Sequence, residues 1–444
     1  MKKFLIITYY WPPSGGAGVQ RWLKLSNYFP EFNFQPIVIT VDGAFASYPV
    51  LDESLLKEVP ENLKVIRTKT KEPFGIYKKL TGKKQIPSGG FSSGNSSSFK
   101  DALMRFFRGN FFIPDARMGW NKFAYEAACE IIRKEKPDAI ITSSPPHSTQ
   151  LIGLKLKEQF GIRIPWIADM RDPWTDIYYY KKLLHTPIAK WIDKNYERKV
   201  LENADKVVVV SESIRQSFIQ KSKRIKPENL VVIPNGYDEK DFVRTDSFGD
   251  NKVSVKTENR FIITYTGTIA ESYSPYPFFS AIEKLIKNNS DANILFRFIG
   301  SMPKEMQDLL KLISWNGQFE YIPYSPHEKV VEYMLASSVL YLAIPQSEGN
   351  KGILTGKLFE YLAARKPIIA TGPVDGDAAT IISSCNAGKM FEANDEKGIL
   401  MHLQHLLNEW RSNKNLLTES DAYKKYSRKI LAGKFSELLN KIIH

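Results

Sequence analysis

The stretch Gly352–Lys366, GILTGKLFEYLAARK, runs straight into the apolar PIIATG of residues 367–372. Leu358, Phe359, Leu362 and Ala363 fall at helical spacing, which predicts a helix opened by Thr355 and Gly356 and followed by a buried strand. A helix that begins with Thr and Gly offers unpaired backbone N–H groups and a partial positive charge, a combination suited to a phosphate. Lys357, on the first turn, adds an ammonium within reach of the same anion. One turn further, Glu360 is placed to accept both hydroxyls of a ribose. Taken alone, the segment is also an ordinary amphipathic helix ahead of a strand, so its neighbours decide the reading.

Those neighbours alternate strand and helix in both halves of the chain. In the second half FIITYT (261–266) is a strand leading to Gly267 and Thr268, ILFRFIG (294–300) ends in Gly300, and FEYIPY and VLYLAIP follow. In the first half a strand over residues 2–9 turns through YYWPPSGGAGVQR into a helix carrying Val19, Trp22, Leu23 and Leu25. Gly15, Gly16 and Gly18 in that turn permit close backbone approach to a ligand. They do not form G-x-G-x-x-G, and no acid ends the strand PIVITV, so a nicotinamide cofactor is disfavoured. Strands are also expected at 36–41, 64–67, PDAIITSS, PWIAD and KVVVVS. Alternation without hairpin signals predicts two parallel α/β sheets. In such sheets ligands lie beyond the carboxyl ends of the strands, in loops that here hold His147, Asp169, Arg171 and Asp172. His147 follows two prolines, which predicts a loop position and not a buried core histidine. Asp169 and Asp172, with Arg171 between them, read as an internal salt-bridge network, although their spacing also permits a metal pair.

Three segments together carry a family resemblance. The helix text K-L-F-E-Y-L-A, the loop PPSGGAGVQR and the run SSPPHSTQLIGLKLKEQFGIRIPWIADMRDPW resemble the GT4-like glycosyltransferases of the GT-B fold, of the bacterial surface-polysaccharide type. The resemblance spans nearly the whole chain apart from roughly 70–113. It implies two facing Rossmann-like domains: an acceptor-binding one over 1–245, a nucleotide-sugar-binding one over 246–420, and a C-terminal helix over 421–444 that returns to the first. VVIPNGYD resembles the family's hinge strand, turning at Asn235 and Gly236. The resemblance further implies that Gly267, Thr268, Gly300, Thr355, Gly356, Lys357 and Glu360 bind the donor, with Gly15 and Gly16 beneath its phosphates and next to the acceptor. His147 would touch the transferred sugar, and Asp169, Arg171 and Asp172 would stand on the acceptor side. Lys357 would stabilise the leaving diphosphate, with Arg21 as the alternative cation. No metal ion and no cofactor are implied. Two positions depart from the family pattern. The first of its paired glutamates falls on Gly352, with Glu348 four residues upstream, and the usual arginine after Gly267 is Thr268.

Composition bounds the remaining possibilities. With 444 residues, 43% hydrophobic and 25% charged, two packed domains are expected. The opening FLIIT is too short for a signal peptide's apolar region and reads as a strand, and no run reaches membrane-spanning length. Two distant cysteines, Cys129 and Cys385, supply neither a disulfide framework nor a metal set, which suits a cytoplasmic protein. The net charge of +14 calls for anionic partners. It is concentrated: Lys64 to Lys122 holds thirteen Lys or Arg against Glu72, Asp101 and Asp115. Within the insertion over 70–113, the Ser/Gly-rich GGFSSGNSSS predicts a flexible loop, and FKDALMRFFRGNFF a helix bearing Phe99, Leu103, Phe106 and Phe107 beside Lys100, Arg105 and Arg108. That pattern predicts peripheral attachment to an anionic membrane, the inner face of the plasma membrane, where a lipid-linked glycan acceptor is presented.

The sequence therefore predicts a retaining glycosyltransferase that moves a sugar from a nucleotide diphosphate donor to a hydroxyl of a lipid-linked glycan. The alternatives are a sugar-nucleotide epimerase or hydrolase of the same fold, or a non-catalytic membrane-binding protein. Nucleic acid is not an expected partner, because no nucleic-acid-binding module is present.

Overall fold

The computed structural model describes residues 1–72, 99–246, 259–313, 317–323, 325–413 and 416–443. The chain divides into two compact units, Met1–Pro234 with Arg428–His444, and Asn235–Ser427.

The first unit runs β1 (Lys2–Thr8), α1 (Ala17–Ser26), β2 (Phe34–Val41), β3 (Lys64–Thr68), α2 (Phe99–Phe111), α3 (Asn121–Glu135), β4 (Ala139–Ser144), α4 (Ser148–Phe160), β5 (Trp166–Met170), α5 (Pro187–Asn203), β6 (Lys206–Val209), α6 (Glu212–Ile219) and β7 (Leu230–Val232). Its sheet has the order β3-β2-β1-β4-β5-β6-β7, with every pair parallel. β1 carries the unbroken apolar run Phe4–Ile7 because helices cover both faces of a parallel sheet. Leu5 and Ile7 pack on one side with Ile37, Ile39 and Trp166, while Phe4 and Ile6 pack on the other with Trp22, Leu23 and Phe29.

The second unit runs α7 (Glu239–Asp246), β8 (Phe261–Thr268), α8 (Tyr276–Asn288), β9 (Ile294–Ser301), α9 (Lys304–Leu312), β10 (Phe319–Ile322), α10 (His327–Leu335), β11 (Val339–Ala343), α11 (Gly356–Ala363), β12 (Ile368–Thr371), α12 (Asp377–Ser384), β13 (Gly388–Phe391) and α13 (Glu396–Asn413). Its sheet is also parallel, in the order β10-β9-β8-β11-β12-β13. The predicted helix is α11, and Leu358, Phe359 and Leu362 fill the core against Leu340, Leu342 and Ile368.

The last helix, α14 (Arg428–Ile442), belongs to the first unit, where Leu431, Phe435 and Leu439 join Phe4 and Trp22. The boundaries differ from those read in the sequence. The chain changes unit after Pro234, not at 245, because the following stretch already packs in the second unit: Tyr237 joins the core of Val331, Leu358 and Phe359, and Phe242 packs against that core. The return comes at Arg428, not at 421, because Tyr426 still packs on Phe359 at 5.2 Å. Much of the 70–113 insertion, including GGFSSGNSSS, lies outside the described residues, while the helix expected beyond it is α2.

Candidate functional site

In each sheet the strand order reverses beside the first strand of its unit, between β1 and β4 and between β8 and β11. A crevice for ligands forms beyond the carboxyl ends of strands at such a reversal.

In the second unit this position collects the predicted donor residues. Gly267 and Gly300 face one another across β8 and β9 with φ of +99° and +132°. A Cβ on Gly300 would stand 2.2 Å from the Gly267 carbonyl oxygen, and one on Gly267 would stand 3.1 Å from Lys357 Nζ. Gly267 thus leaves the space beside the lysine clear, and Gly300 lets the ends of β8 and β9 approach closely. Lys357 Nζ donates to Tyr265 Oη at 2.8 Å and lies 4.2 Å from the centroid of the same ring. Tyr265 is buried and stacked on Phe298 at 4.9 Å. Burial pulls the Lys357 pKa down from its ordinary range to about 7, opposed by the nearby Glu360 carboxylate. Among the described residues no carboxylate forms an ion pair with this lysine. Thr355 precedes α11 in extended conformation, and its side chain makes no capping bond. Its hydroxyl oxygen is buried without a protein partner. The start of α11 therefore presents a hydroxyl, backbone N–H groups and an ammonium together, a set chemically suited to an anion.

Glu360 stands one turn further along. Its Oε1 is 3.1 Å from His327 Nε2, and His327 Nδ1 is 3.9 Å from Asp241 Oδ2. The sequence reading missed His327 and Tyr265. The signal for His327 was its place after Pro326 at the start of α10, beyond the end of β10. Gly352, where a first glutamate was sought, is buried in a short 3-10 turn, and Glu348 is exposed in the loop ahead of it. Thr268 is exposed beside Gly267.

In the first unit the corresponding position is built differently. Asp169, at the end of β5, is fully buried and accepts from Arg21 Nε and Nη2 at 3.2 and 2.9 Å, Trp22 Nε1 at 3.0 Å and Ser143 Oγ at 2.8 Å. Arg21 also donates to the carbonyls of Ile233 and Pro234. The expected network within Asp169–Arg171–Asp172 is corrected accordingly: the partner of Asp169 is Arg21, and Asp169 is enclosed and not turned toward an acceptor. Arg21 is no alternative phosphate cation, because its charge is already matched. Arg171 donates to the carbonyls of Ser144 and Gly18 at 2.9 and 2.8 Å, tying the loops after β4 and β1 together. Its Nη2 is buried without a protein partner. Burial raises the Asp172 pKa, opposed by Arg171.

His147 is also a correction. It is buried, 8% exposed, and stacks on Trp174 with ring centroids 5.1 Å apart and planes 12° from parallel. Two prolines place it in a loop, but Trp174 folds over it, a contact invisible in local sequence. Burial, and then the cations Lys221 and Arg171, bring its pKa down to about 3, so the imidazole is neutral at physiological pH. Neither ring nitrogen has a protein hydrogen-bond partner. A buried ring left in that state points to a ligand or water that completes it. Gly16 has φ +85° with open space around its Cβ position, while the Gly15 N–H is committed to the Val50 carbonyl at 2.9 Å and is not free for a phosphate.

Two parallel-sheet Rossmann-like units are the architecture of the GT-B type. Residues 91–241 match Glycosyltransferase Family 4, and residues 260–409 match Glycosyl transferases group 1. With those two matches spanning well over half of its length, the chain belongs to the GT4-like glycosyltransferases of the GT-B fold. No curated protein matches it in sequence. Among solved structures it is similar to sucrose-phosphate synthase from Thermosynechococcus elongatus (TM-score 0.63, 13% identity, covering 100% of this chain and 99% of that one). It is similar to WaaG, a glycosyltransferase involved in lipopolysaccharide biosynthesis (TM-score 0.56, 13% identity, 98% and 99% covered). It is also similar to a putative UDP-N-acetylglucosamine 2-epimerase from Listeria monocytogenes (TM-score 0.56, 11% identity, 98% and 95% covered).

Proposed function

We propose that this glycosyltransferase moves a sugar, with retention, from a nucleotide diphosphate donor to a hydroxyl of a lipid-linked glycan, in surface-polysaccharide synthesis at the cytoplasmic face of the plasma membrane. The observation that carries the donor assignment is Lys357: an ammonium whose pKa desolvation lowers to about 7, paired with no described carboxylate, at the start of α11 beside Gly267. As the sugar departs, negative charge gathers on the diphosphate. A lysine with a pKa near 7 gains most from that charge, and stabilisation of it is the largest catalytic contribution. Thr355 and the first-turn amides hold the same group, and Glu360 accepts the ribose hydroxyls. Neutral His147 contacts the transferred sugar as a hydrogen-bond partner and not as an ion. The chemistry needs no metal and no further cofactor in this reading. The basic segment containing α2 brings the enzyme to the anionic bilayer that carries the acceptor, with Arg171 and Asp172 on the acceptor side.

The experiment is a panel of nucleotide sugars incubated with the purified protein, with and without a lipid-linked glycan, followed by analysis of products and anomeric configuration. Transfer with retention is expected. Donor epimerised without any acceptor would overturn the reading in favour of the epimerase. Donors that neither bind nor react would favour the non-catalytic membrane protein.

A further inference from the structure

α5 departs from an ordinary surface helix in two respects. Its carboxylates point inward: Asp193 and Glu197 are each 1% exposed. Asp193 accepts from Trp174 Nε1 at 2.8 Å, and Glu197 from Thr175 Oγ1 at 2.6 Å and Lys221 Nζ at 2.8 Å. Two large apolar side chains near its start point outward, although Val200 and Leu201 near its end are buried: Ile188 is 72% and Trp191 68% exposed, three residues apart on one helical face. Just before the helix Leu184 is exposed as well. From Lys181 to Lys199 every exposed charge is positive: Lys181, Lys182, Lys190, Lys194, Arg198 and Lys199.

α2 adjoins this face. Asn110 joins the two elements, donating to the Leu184 carbonyl at 3.1 Å and accepting from the Thr186 N–H at 2.6 Å. Gly109 allows the close approach, since a Cβ there would come 2.3 Å from the Leu183 carbonyl oxygen. On α2, Leu103, Phe107 and Phe111 are exposed at four-residue spacing, with Phe107 and Phe111 stacked at 5.2 Å.

We propose that the 180–199 segment, with Ile188 and Trp191 as its inserted side chains, is a second anchor of the enzyme on an anionic phospholipid bilayer, continuous with α2. This rests on the membrane reading of the α2 segment and adds to it a surface some eighty residues away in sequence. Exposed Trp, Ile and Phe beside lysines, with no exposed acid among them, match the apolar boundary and negative headgroups of such a bilayer. A second copy of the chain is the poorer occupant, because six cations would face six cations across a two-fold contact. The buried Asp193–Trp174 bond and the Trp174–His147 stack also tie the anchor helix to the histidine of the candidate site.

The test uses the full chain and vesicles of phosphatidylcholine with or without phosphatidylglycerol, read by co-sedimentation and by quenching of tryptophan fluorescence with brominated lipid. Of the described tryptophans Trp191 alone is exposed, so it is the reporter, and Trp191→Phe assigns the signal. Wild type is expected to bind only anionic vesicles, to weaken with salt, and to be quenched. Ile188→Ser/Trp191→Ser is expected to lower vesicle affinity about tenfold or more, with thermal unfolding and donor hydrolysis unchanged. Phe107→Ser/Phe111→Ser tests α2 separately. If wild type ignores anionic vesicles at low salt, the membrane reading itself fails. If wild type binds but the α5 variant binds equally and Trp191 is not quenched, the second anchor is overturned while the α2 reading stands. A concentration-dependent dimer dissolved by the α5 variant would overturn it in favour of a second copy.

Discussion

The reversal points of the two sheets share a topology and use charge in opposite ways. In the first unit Arg21 and Asp169 are both buried and spend their charges on each other and on neighbouring backbone. In the second, Lys357 lies over the Tyr265 ring and beside Gly267, with no described carboxylate paired with it. A buried pair is matched internally, whereas a half-buried cation with no described counter-ion favours an anionic partner. The same fold thus yields a rigid platform in one unit and a charge-seeking one in the other. Four experiments test that contrast, beginning with the largest expected effect.

Removing one partner of the platform pair should be the most damaging change. Asp169→Ala leaves Arg21 charged and enclosed, and unfolding free energy should fall by about 3–5 kcal/mol. In the double variant Arg21→Met/Asp169→Leu much of this should return. Denaturant titration decides it: a loss under 1 kcal/mol in the single variant would mean that the pair behaves as a solvated one and the contrast is broken.

The opposite is expected of Lys357→Ala. It should lower turnover on the order of a hundredfold to a thousandfold, about 3–4 kcal/mol of transition-state stabilisation, with little loss of thermal stability. A folded variant with normal turnover would remove the lysine from the leaving-group role.

Glu360→Gln keeps the shape of the ribose contact but accepts hydroxyl donors less well, so donor binding should weaken by about 1.5–3 kcal/mol. Calorimetry with the donor diphosphate would show it. Unchanged affinity would leave Glu360 as a partner of His327 only.

The mildest effect is the most diagnostic. Burial places the Lys357 pKa at about 7 in the free enzyme, and a bound diphosphate must raise it. Below that pH the lysine is already charged, so affinity is flat in this respect. Above it binding has to take up a proton, and donor affinity should fall by up to about tenfold per pH unit until the bound-state pKa is passed. Lys357→Met should abolish that slope. A wild-type affinity independent of pH between about 7 and 9 would show a lysine that is charged throughout.

The sequence by itself determined the alternation of strand and helix, the two-unit architecture and the residues of α11. These are local or periodic properties: Leu358, Phe359 and Leu362 report a buried helix face wherever the helix packs, and Thr355-Gly356-Lys357 report its opening turn. Only the tertiary structure decided the partners, because they come from distant segments with no local mark. Tyr265 lies under Lys357 because β8 is central in its sheet, and His327 reaches Glu360 because α10 starts beyond β10. Asp169 belongs to Arg21 because β5 ends beside α1, not beside its own neighbour Arg171. His147 was misread for the same reason: a loop position after two prolines says how the chain turns, while burial is decided by what folds over it, here Trp174.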